Sequence, residues 1–422
     1  MSSRQNAVKK IVVLATVVMM LVSVSLTGCG TKKPAKPAEQ AKPITITIWH
    51  SWSGAELDVL NDAISKYTAA HPNVTINQLQ VPFDQLKNKF QTSAAAGEGP
   101  DILVGPADWI GPFTKANLIA PIDPYVDSDF LSHYVKGAVG QVTLNGKMMA
   151  MPESTECVAM VYNKDLVKNL PKDTDSMITL ADSLQTGDTY GLVYNTGFYF
   201  TAGYFFAAGM KLFDANNNSI VSQGDGGVKA LNFLKKLSDD PKIIAANDYG
   251  KADSMFKEGK AAMIINGPWA VGDYVKALGA DKVGVAPMPS FSVTGKPFAP
   301  FVNTKDFMIN ANSDDAHKKA AMDFIKFMTS KEIEQEFFEK AKHIPSNVDV
   351  DTSSDPIVNG FLEQMKTGVP MPIISEMGAV WDPMQTAIDS VLAGKATPED
   401  AMKTAQDAIN KKIQSMRSGS KK

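Results

Sequence analysis

The sequence predicts an α/β protein made of two doubly wound lobes. The first observation is a strand, helix, strand, helix, strand order over residues 44–105, read from alternating apolar runs and helical periodicity. The second is an interruption over residues 147–166, where two apolar strands flank a polar segment. The third is a new α/β set after that interruption, which predicts a second lobe.

The predicted first lobe opens with residues 44–52, where isoleucine and threonine alternate as in a β-strand. Residues 54–71 have helical spacing, residues 73–81 form a second strand, and residues 83–97 form a second helix. The third strand, Pro100–Gly105, is continuously apolar. Such a run is typical of a strand covered on both faces, so we expect a buried parallel sheet.

The chain is expected to cross between the lobes in extended segments. Strands or helices of the second lobe are predicted from "YGLVYN", "AGYFFAAGM", "GVKALNFLKKLSDD" and "AAMIIN", and "KPFAPFVNTKDFMIN" is expected to be a return passage. The predicted division is a signal peptide at 1–28, a tether at 29–43, a first lobe at 44–153 and 305–350, a second lobe at 160–298 and 355–416, and crossings at 154–159, 299–304 and 351–354.

The N-terminal segment has the pattern of an export signal. Three cations precede an apolar run at residues 11–26, which is too short for a comfortable membrane span of about 20 residues. The "LTGC" that follows resembles a bacterial lipoprotein signal, which implies lipidation of Cys29. Proline and lysine alternate at 31–43, as in an extended tether. We therefore expect a lipid-anchored protein on the outer face of the cytoplasmic membrane.

The composition excludes several kinds of partner. The formal net charge of −3 becomes more negative without the signal segment, which argues against nucleic acid. Cys157 is the one cysteine besides Cys29, so no disulfide is expected in the folded part. The arginines are Arg4 and Arg417, the latter in a C-terminal tail expected to fray. Because sites for phosphate or carboxylate ligands usually use guanidinium groups, a neutral ligand is favoured.

Motifs for metal or nucleotide binding are missing from the sequence. The five histidines show no short ligand spacing, and neither a Walker loop nor a G-x-S-x-G elbow is present. Residues Asp214–Asp225 begin like a calcium loop, but Ser219 replaces the required glycine and Asp225 the bidentate glutamate. We predict a polar hairpin turn there, and no metal or cofactor.

Aromatic residues follow several predicted strands or lie beside Gly and Pro. A flat ring gives a large apolar contact and loses little rotamer entropy, and the C–H face of a pyranose suits such a surface. Ligands bind at the carboxyl ends of strands in doubly wound sheets. Core packing is the alternative for each ring taken alone, and it is the expectation for Trp49. The candidate ligand-binding rings are Trp52, Trp109, Phe198, Tyr199, Trp269 and Trp381.

Carboxylates accompany these rings. Glu153 and Glu156 lie in the polar segment between the lobes, and Asp108 follows the third strand. They are candidate acceptors for sugar hydroxyls. Solvated loop charges, or the paired acids of a glycosidase, remain as alternatives.

Several motifs resemble one family when taken together. "AAGEGPDI", "YNKDL", "INGPWA" and "MGAVWDP" occur in the order found in extracellular solute-binding proteins of ATP-driven sugar importers, above all the maltose- and maltodextrin-binding proteins. The resemblance implies a periplasmic-binding-protein-like fold that closes on an oligosaccharide. It also implies that Tyr199, Trp269 and Trp381 stack on the sugar, that Glu156 accepts from it between the lobes, and that Asp108 accepts in the first lobe.

The first-lobe positions depart from this family. The family's third-strand tryptophan aligns with Gly105, and Trp109 stands four residues later. Its acidic and lysine pair aligns near Ser53 and Gly54, and a glutamate pair becomes Lys87 and Asn88. The second-lobe half of the site thus follows the family, and the first-lobe half is remodelled.

The function predicted is that of a monomeric receptor, without catalytic residues, that captures a maltodextrin-type oligosaccharide and delivers it to a membrane permease of an ATP-driven importer. One alternative is the same role for another oligosaccharide, a polyol or a glycerol-phosphodiester. The other is a surface glycosidase using Glu153 or Glu156.

Overall fold

A computed structural model describes residues 42–419. The predicted signal peptide, Cys29 and the tether up to residue 41 lie outside the described residues. Within 42–419, no helix is both long and apolar enough to cross a membrane. Cys157 is a buried free thiol.

The strands of the described part form two large sheets and one small hairpin. In chain order they are β1 Ile44–His50, β2 Val74–Gln80, β3 Ile102–Pro106, β4 Ile119–Ala120, β5 Thr143–Leu144, β6 Lys147–Met148, β7 Met151–Glu156, β8 Ala159–Asn163, β9 Tyr190–Asn195, β10 Ile243–Ala246, β11 Ala261–Asn266, β12 Val283–Ala286, β13 Phe301–Asn310, β14 Ile344–Pro345 and β15 Val369–Pro370.

Helices cover both sheets. They are α1 Gly54–Ala70, α2 Phe83–Ala95, α3 Ile110–Lys115, α4 Ser128–Leu131, α5 Lys136–Gln141, α6 Thr174–Leu184, α7 Phe198–Ala207, α8 Gly226–Asp239, α9 Tyr249–Lys257, α10 Pro268–Leu278, α11 Asp315–Met328, α12 Lys331–Glu336, α13 Pro356–Met365, α14 Trp381–Leu392 and α15 Pro398–Gly419. The α/β class and the two lobes predicted from the sequence are confirmed.

The first sheet has the strand order β14-β7-β13-β3-β1-β2. β1 pairs in parallel with β2 and β3, as predicted. β13 is antiparallel to both β3 and β7, because the chain re-enters this lobe from the second lobe and runs between them. The prediction of a parallel sheet therefore holds for β1, β2 and β3, and the return passage adds an antiparallel central strand.

The second sheet has the order β10-β9-β11-β8-β12. β9 is parallel to β10 and β11, while β8 is antiparallel to β11 and β12. Successive residues of one strand enter different cores: Met263 belongs to one hydrophobic cluster and Ile264 to another. Since side chains alternate across a strand, both faces of this sheet are buried, and its strands are accordingly apolar except for the asparagines that end β8, β9 and β11.

Candidate functional site

Three aromatic residues of the second lobe lie where helices begin. Tyr199 and Trp269 are in the first turns of α7 and α10, and Trp381 is the first residue of α14. α7 follows β9 and α10 follows the neighbouring parallel strand β11. The ring centroid of Tyr199 is 6.1 Å from that of Trp269 and 6.4 Å from that of Trp381. We call these three rings the aromatic shelf.

The turn before Trp269 fixes the direction of its indole. A Cβ added at Gly267 would lie 2.0 Å from the Trp269 indole. Because glycine has no Cβ, the ring can pack directly over this position. Pro268 starts α10, where its missing N–H breaks no helical bond. The indole Nε1 donates to the Tyr249 hydroxyl at 3.0 Å. Trp269 is half-buried and held on two sides.

Two phenylalanines support the shelf from behind. Phe301, at the start of β13, lies 5.8 Å from Trp381 and is stacked on Tyr199 at 6.3 Å. Phe198 lies 6.0 Å from Trp381 and 6.1 Å from Phe301 and is buried in the second-lobe core. This burial corrects the prediction that Phe198 binds ligand: its ring packs the shelf in place.

Asp108 brings a first-lobe carboxylate to the shelf. It lies in a 3-10 turn, Ala107–Trp109, directly after β3. Its Oδ2 accepts from the indole Nε1 of Trp381 at 3.0 Å. Burial raises the pKa of Asp108, although the charge of Lys87 and the bond from Trp381 act in the opposite direction. Asp108 therefore joins the two lobes and remains available as a polar partner.

Glu156 is the second acceptor, at the end of β7. Its carboxylate accepts from Asn303 Nδ2 at 3.4 Å and lies 3.5 Å from Lys305 Nζ. Burial, followed by the charge of Glu156, raises the pKa of the Tyr199 phenol well above its ordinary value, so the phenol stays neutral. Among the described residues, the Tyr199 hydroxyl and Asn303 Oδ1 are buried without a hydrogen-bond partner. These atoms retain capacity to bind a polar ligand.

The first lobe contributes two stacked aromatic rings, Phe83 and Trp109. Phe83 stacks on Trp109 with centroids 5.6 Å apart and is 54% exposed, whereas Trp109 is almost buried. A Cβ added at Gly105 would lie 2.4 Å from the Trp109 ring. The indole from four residues later therefore covers the position where the resembling family has its tryptophan. Lys87 Nζ lies 6.0 Å from the same ring.

Trp52 lies in the first-lobe core. It is 1% exposed, and its ring centroid is 5.1 Å from that of Phe337 and 5.8 Å from that of Phe307. Both partners come from more than 250 residues later in the chain, after the return passage. The prediction that Trp52 contacts ligand is therefore corrected: the indole is a packing residue.

Glu153 belongs to a buried ion-pair group of the first lobe. His343 Nδ1 lies 2.8 Å from Glu153 Oε1, and His343 Nε2 lies 3.0 Å from Glu56 Oε1. Burial alone would lower the pKa of His343, but the charges and hydrogen bonds of these two carboxylates raise it to about 10. The carboxylate of Glu153 is thus committed to an imidazolium, which corrects its assignment to the ligand.

The calcium-like loop at Asp214 is tied to the C-terminal helix. Asp214 Oδ1 accepts from the amides of Asn216 and Asn218 at 2.8 Å. Arg417 donates to the carbonyl of Asn216 at 2.8 Å and to Oδ1 of Asn218 at 2.9 Å. The expectation of a frayed arginine is wrong, because its guanidinium binds the loop oxygens. Across residues 42–419, no group of three or more His, Cys, Asp or Glu could hold a metal ion.

Comparison with known proteins identifies the family. The family model for bacterial extracellular solute-binding proteins matches residues 62–360. The chain belongs to this family. Its members and the relatives below are substrate-binding proteins, so the chain is not an enzyme.

Curated relatives match most of the chain. A maltotriose-binding protein of Pyrococcus abyssi is 32% identical over 378 residues, which are 87% of this chain and 82% of that protein. A galactooligosaccharide-binding protein of Bacillus subtilis is 25% identical, over 94% of this chain and 96% of that protein. A maltooligosaccharide ABC transporter solute-binding lipoprotein of Streptococcus pneumoniae is 27% identical, over 95% of this chain and 96% of that protein.

Solved structures agree with this fold. The maltose/maltodextrin-binding domain of Bdellovibrio bacteriovorus, bound to maltotriose, aligns with a TM-score of 0.83 at 31% identity, covering 88% of this chain and all of that one. The Thermus thermophilus maltotriose-binding protein, also bound to maltotriose, aligns with a TM-score of 0.82 at 33% identity, covering 87% and 100%.

Some residues of the candidate site were not identified from the sequence. Asn303 and Lys305 lie on β13, which spans the predicted crossing at 299–304 and the start of the predicted first-lobe segment at 305, and Phe83 starts a helix in a position typical of a surface residue. Tyr249 has no nearby motif and meets Trp269 only through the fold. The run of four polar residues from Asn303 to Asp306, between apolar residues of the same strand, was the available signal.

Proposed function

We propose that this protein is a receptor that captures a neutral malto-oligosaccharide between its two lobes. The observation that carries the proposal is the aromatic shelf opposite two buried carboxylates, Asp108 and Glu156. The maltotriose for which the Pyrococcus and Thermus relatives are named is consistent with it. The proposed ligand-binding residues are Tyr199, Trp269, Trp381, Glu156, Asp108 and Trp109.

The two kinds of group suit the two kinds of surface on a pyranose. The C–H faces of sugar rings stack on indole and phenol, which give apolar contact at small entropic cost. Hydroxyls at the ring edge donate to Asp108 and Glu156, and hydrogen bonds to charged acceptors are the stronger kind. A micromolar complex needs about −8 kcal/mol, which a few such contacts supply.

Lobe closure on the sugar produces the conformational change that a permease would recognise. A sugar bound between the lobes interacts with both, so it shifts the population towards the closed arrangement. In the structure the lobes already meet at the site, where Trp381 donates to Asp108. A closed, liganded surface is what a permease of an ATP-driven importer would distinguish from the open form.

The proposed location is the outer face of the cytoplasmic membrane, with Cys29 lipidated and the protein monomeric. The "LTGC" sequence supports this location, as does the similarity to the streptococcal relative, which is named as a lipoprotein of an ABC transporter. We expect Cys29→Ala to release the protein into the medium. Membrane retention of that variant in a fractionation experiment would contradict lipidation.

A second candidate ligand is a galactooligosaccharide. The similarity to the Bacillus protein spans nearly both chains, and the first-lobe half of the site is remodelled. The receptor role would be unchanged. Affinity for maltotriose relative to a galactosyl trisaccharide separates the two candidates.

Calorimetry with purified protein tests the proposal. Maltotriose at 100 times its Kd should stabilise the protein by about 2.7 kcal/mol without release of glucose. Trp269→Ala should remove this effect. Trp49→Ala is the matched control, because Trp49 is a half-buried first-lobe indole beside Lys89. If maltotriose produces neither heat nor stabilisation, the proposed ligand is wrong.

A further inference from the structure

Lys305 is a cation inside the cleft, on the strand that returns to the first lobe. The pairing of β13 with β7 shifts register between Lys305 and Asp306. Irregularities of this kind bend a strand and re-aim its side chains, often beside functional sites. The Lys305 side chain is only 12% exposed. Lysine is rarely buried unless it is paired or functional.

The ammonium group of Lys305 lies between groups of both lobes. Its Nζ is 3.5 Å from Glu156 Oε2. It is also 6.0 Å from the ring centroid of Trp269 and 5.9 Å from that of Phe83. These distances are at the limit for cation–π attraction. Lys305 thus connects the first-lobe rings to the aromatic shelf.

Lys305 has unused donor capacity. An ammonium group has three N–H donors, and among residues 42–419 its ion pair is with Glu156 alone. Burial alone would lower the pKa of Lys305, but the charges of Glu156, Glu56 and Glu153 raise it above its usual value. The side chain therefore stays cationic at neutral pH, beside the acceptor Glu156.

We propose that Lys305 is a specificity-determining residue that donates hydrogen bonds to the sugar hydroxyls next to those accepted by Glu156. This inference rests on the proposed function and deepens it. Lys305 and Glu156 contact the same hydroxyl-bearing edge of the sugar, Lys305 as a hydrogen-bond donor and Glu156 as an acceptor. A fixed cation at this point also repels ligands that carry an ammonium group there, so the site selects uncharged oligosaccharides over aminated ones.

Two titrations test this role, one with maltotriose and one with a maltotriose analogue in which a primary hydroxyl is replaced by an ammonium group. K305M should lower affinity for maltotriose at least about tenfold, the loss of one charged hydrogen bond. It should also reduce the preference for maltotriose over the aminated analogue. K305R, which keeps the charge, should retain that preference and serves if K305M does not fold.

The matched control is K326M, since Lys326 makes a cation–π contact 5.0 Å from the Phe130 ring elsewhere in the first lobe. It should leave both affinities unchanged. If wild-type protein binds no uncharged oligosaccharide, the proposed function fails and this inference fails with it. If wild-type protein binds maltotriose and K305M keeps both its affinity and its preference, only the role of Lys305 is overturned. Weaker binding with an unchanged preference would overturn direct contact and leave Lys305 as a positioning residue for Glu156.

Discussion

The two halves of the cleft are built on different principles. The second lobe presents three rings at helix N-termini, held by tight turns and by phenylalanines behind them. The first lobe presents charged groups, Asp108, Glu156 and Lys305, with Trp109 and Phe83 at the side. The difference suggests a division of labour. We propose that apolar stacking supplies most of the affinity, and that the polar half chooses among sugars of similar shape.

One glycine in each half shows the same device in both lobes. Gly267 and Gly105 both lie under an indole, and a Cβ at either position would clash with it. In the second lobe the covering ring is half-buried in the shelf, whereas in the first lobe it is nearly buried. The same packing solution thus leaves the indole partly exposed in one lobe and nearly buried in the other, so we expect Trp269 to contact ligand more extensively than Trp109.

Removal of a shelf ring should have the largest effect. Trp269→Ala is expected to weaken maltotriose binding by at least about 2 kcal/mol, as for a truncated aromatic anchor, with the fold retained. Isothermal titration and a thermal melt together check this. The counterpart variant in the first lobe, Trp109→Ala, should cost less affinity, and the reverse order would refute the division of labour.

Neutralising the first-lobe acceptor should have the next largest effect. Glu156→Gln is expected to cost about 1.5–3 kcal/mol, the size of a hydrogen bond to a charged group. Because selection is assigned to the polar half, the loss should also differ among trisaccharides when they are titrated in parallel. Full affinity in Glu156→Gln would remove this residue from the site.

The two glycines provide a smaller and more sensitive comparison. Gly267→Ala and Gly105→Ala each displace an indole without deleting it, and neither position has a positive φ. We expect Gly267→Ala to weaken binding by about 1.4 kcal/mol, or tenfold, and Gly105→Ala to affect mainly the melting temperature. Equal losses of affinity would mean that the two indoles contribute equally to binding, against the proposed division of labour.

The buried ion-pair group of His343, Glu153 and Glu56 should affect the stability of the protein rather than ligand binding. The folded pKa of His343 is about 10, against an ordinary value of about 6.5. Its stabilisation is therefore fully present below pH about 6.5 and is lost as pH rises through about 10. Melting temperatures of His343→Gln should fall less between pH 7 and pH 10 than those of wild type.

The control for that measurement is His133→Gln, since His133 is exposed and paired with Asp349 at the surface. It should reproduce the wild-type pH profile, and maltotriose affinity at pH 7 should be unchanged in both variants. A parallel fall of the melting temperature in wild type and His343→Gln would show that the buried group does not titrate as described.

The fold class and the placement of the second-lobe rings at helix starts were predictable from the sequence. Alternating Ile44, Ile46 and Ile48 give β1, and the Gly267-Pro268 break places Trp269 at a helix start. Local chemistry decides such features within a few residues. The central position of β13 could not be derived locally, because its partners β3 and β7 are about 150–200 residues earlier in the chain.

The same limit separates Trp52 from Trp269. Both indoles follow a strand, and both were candidates for ligand contact. Phe307 and Phe337, brought to Trp52 by the return strand and the helices after it, decide that Trp52 is buried. Glu153 and Glu156 differ for a similar reason, since the distant His343 reaches only Glu153. Long-range packing therefore determined which candidate side chains are occupied by other contacts within the first lobe.

A crystal structure of the protein grown with maltotriose tests the central claim most directly. Glucose rings should lie against Tyr199, Trp269 and Trp381, with hydroxyls within hydrogen-bond distance of Asp108 and Glu156. Sugar density at any other place, or none at saturating concentration, would contradict the account.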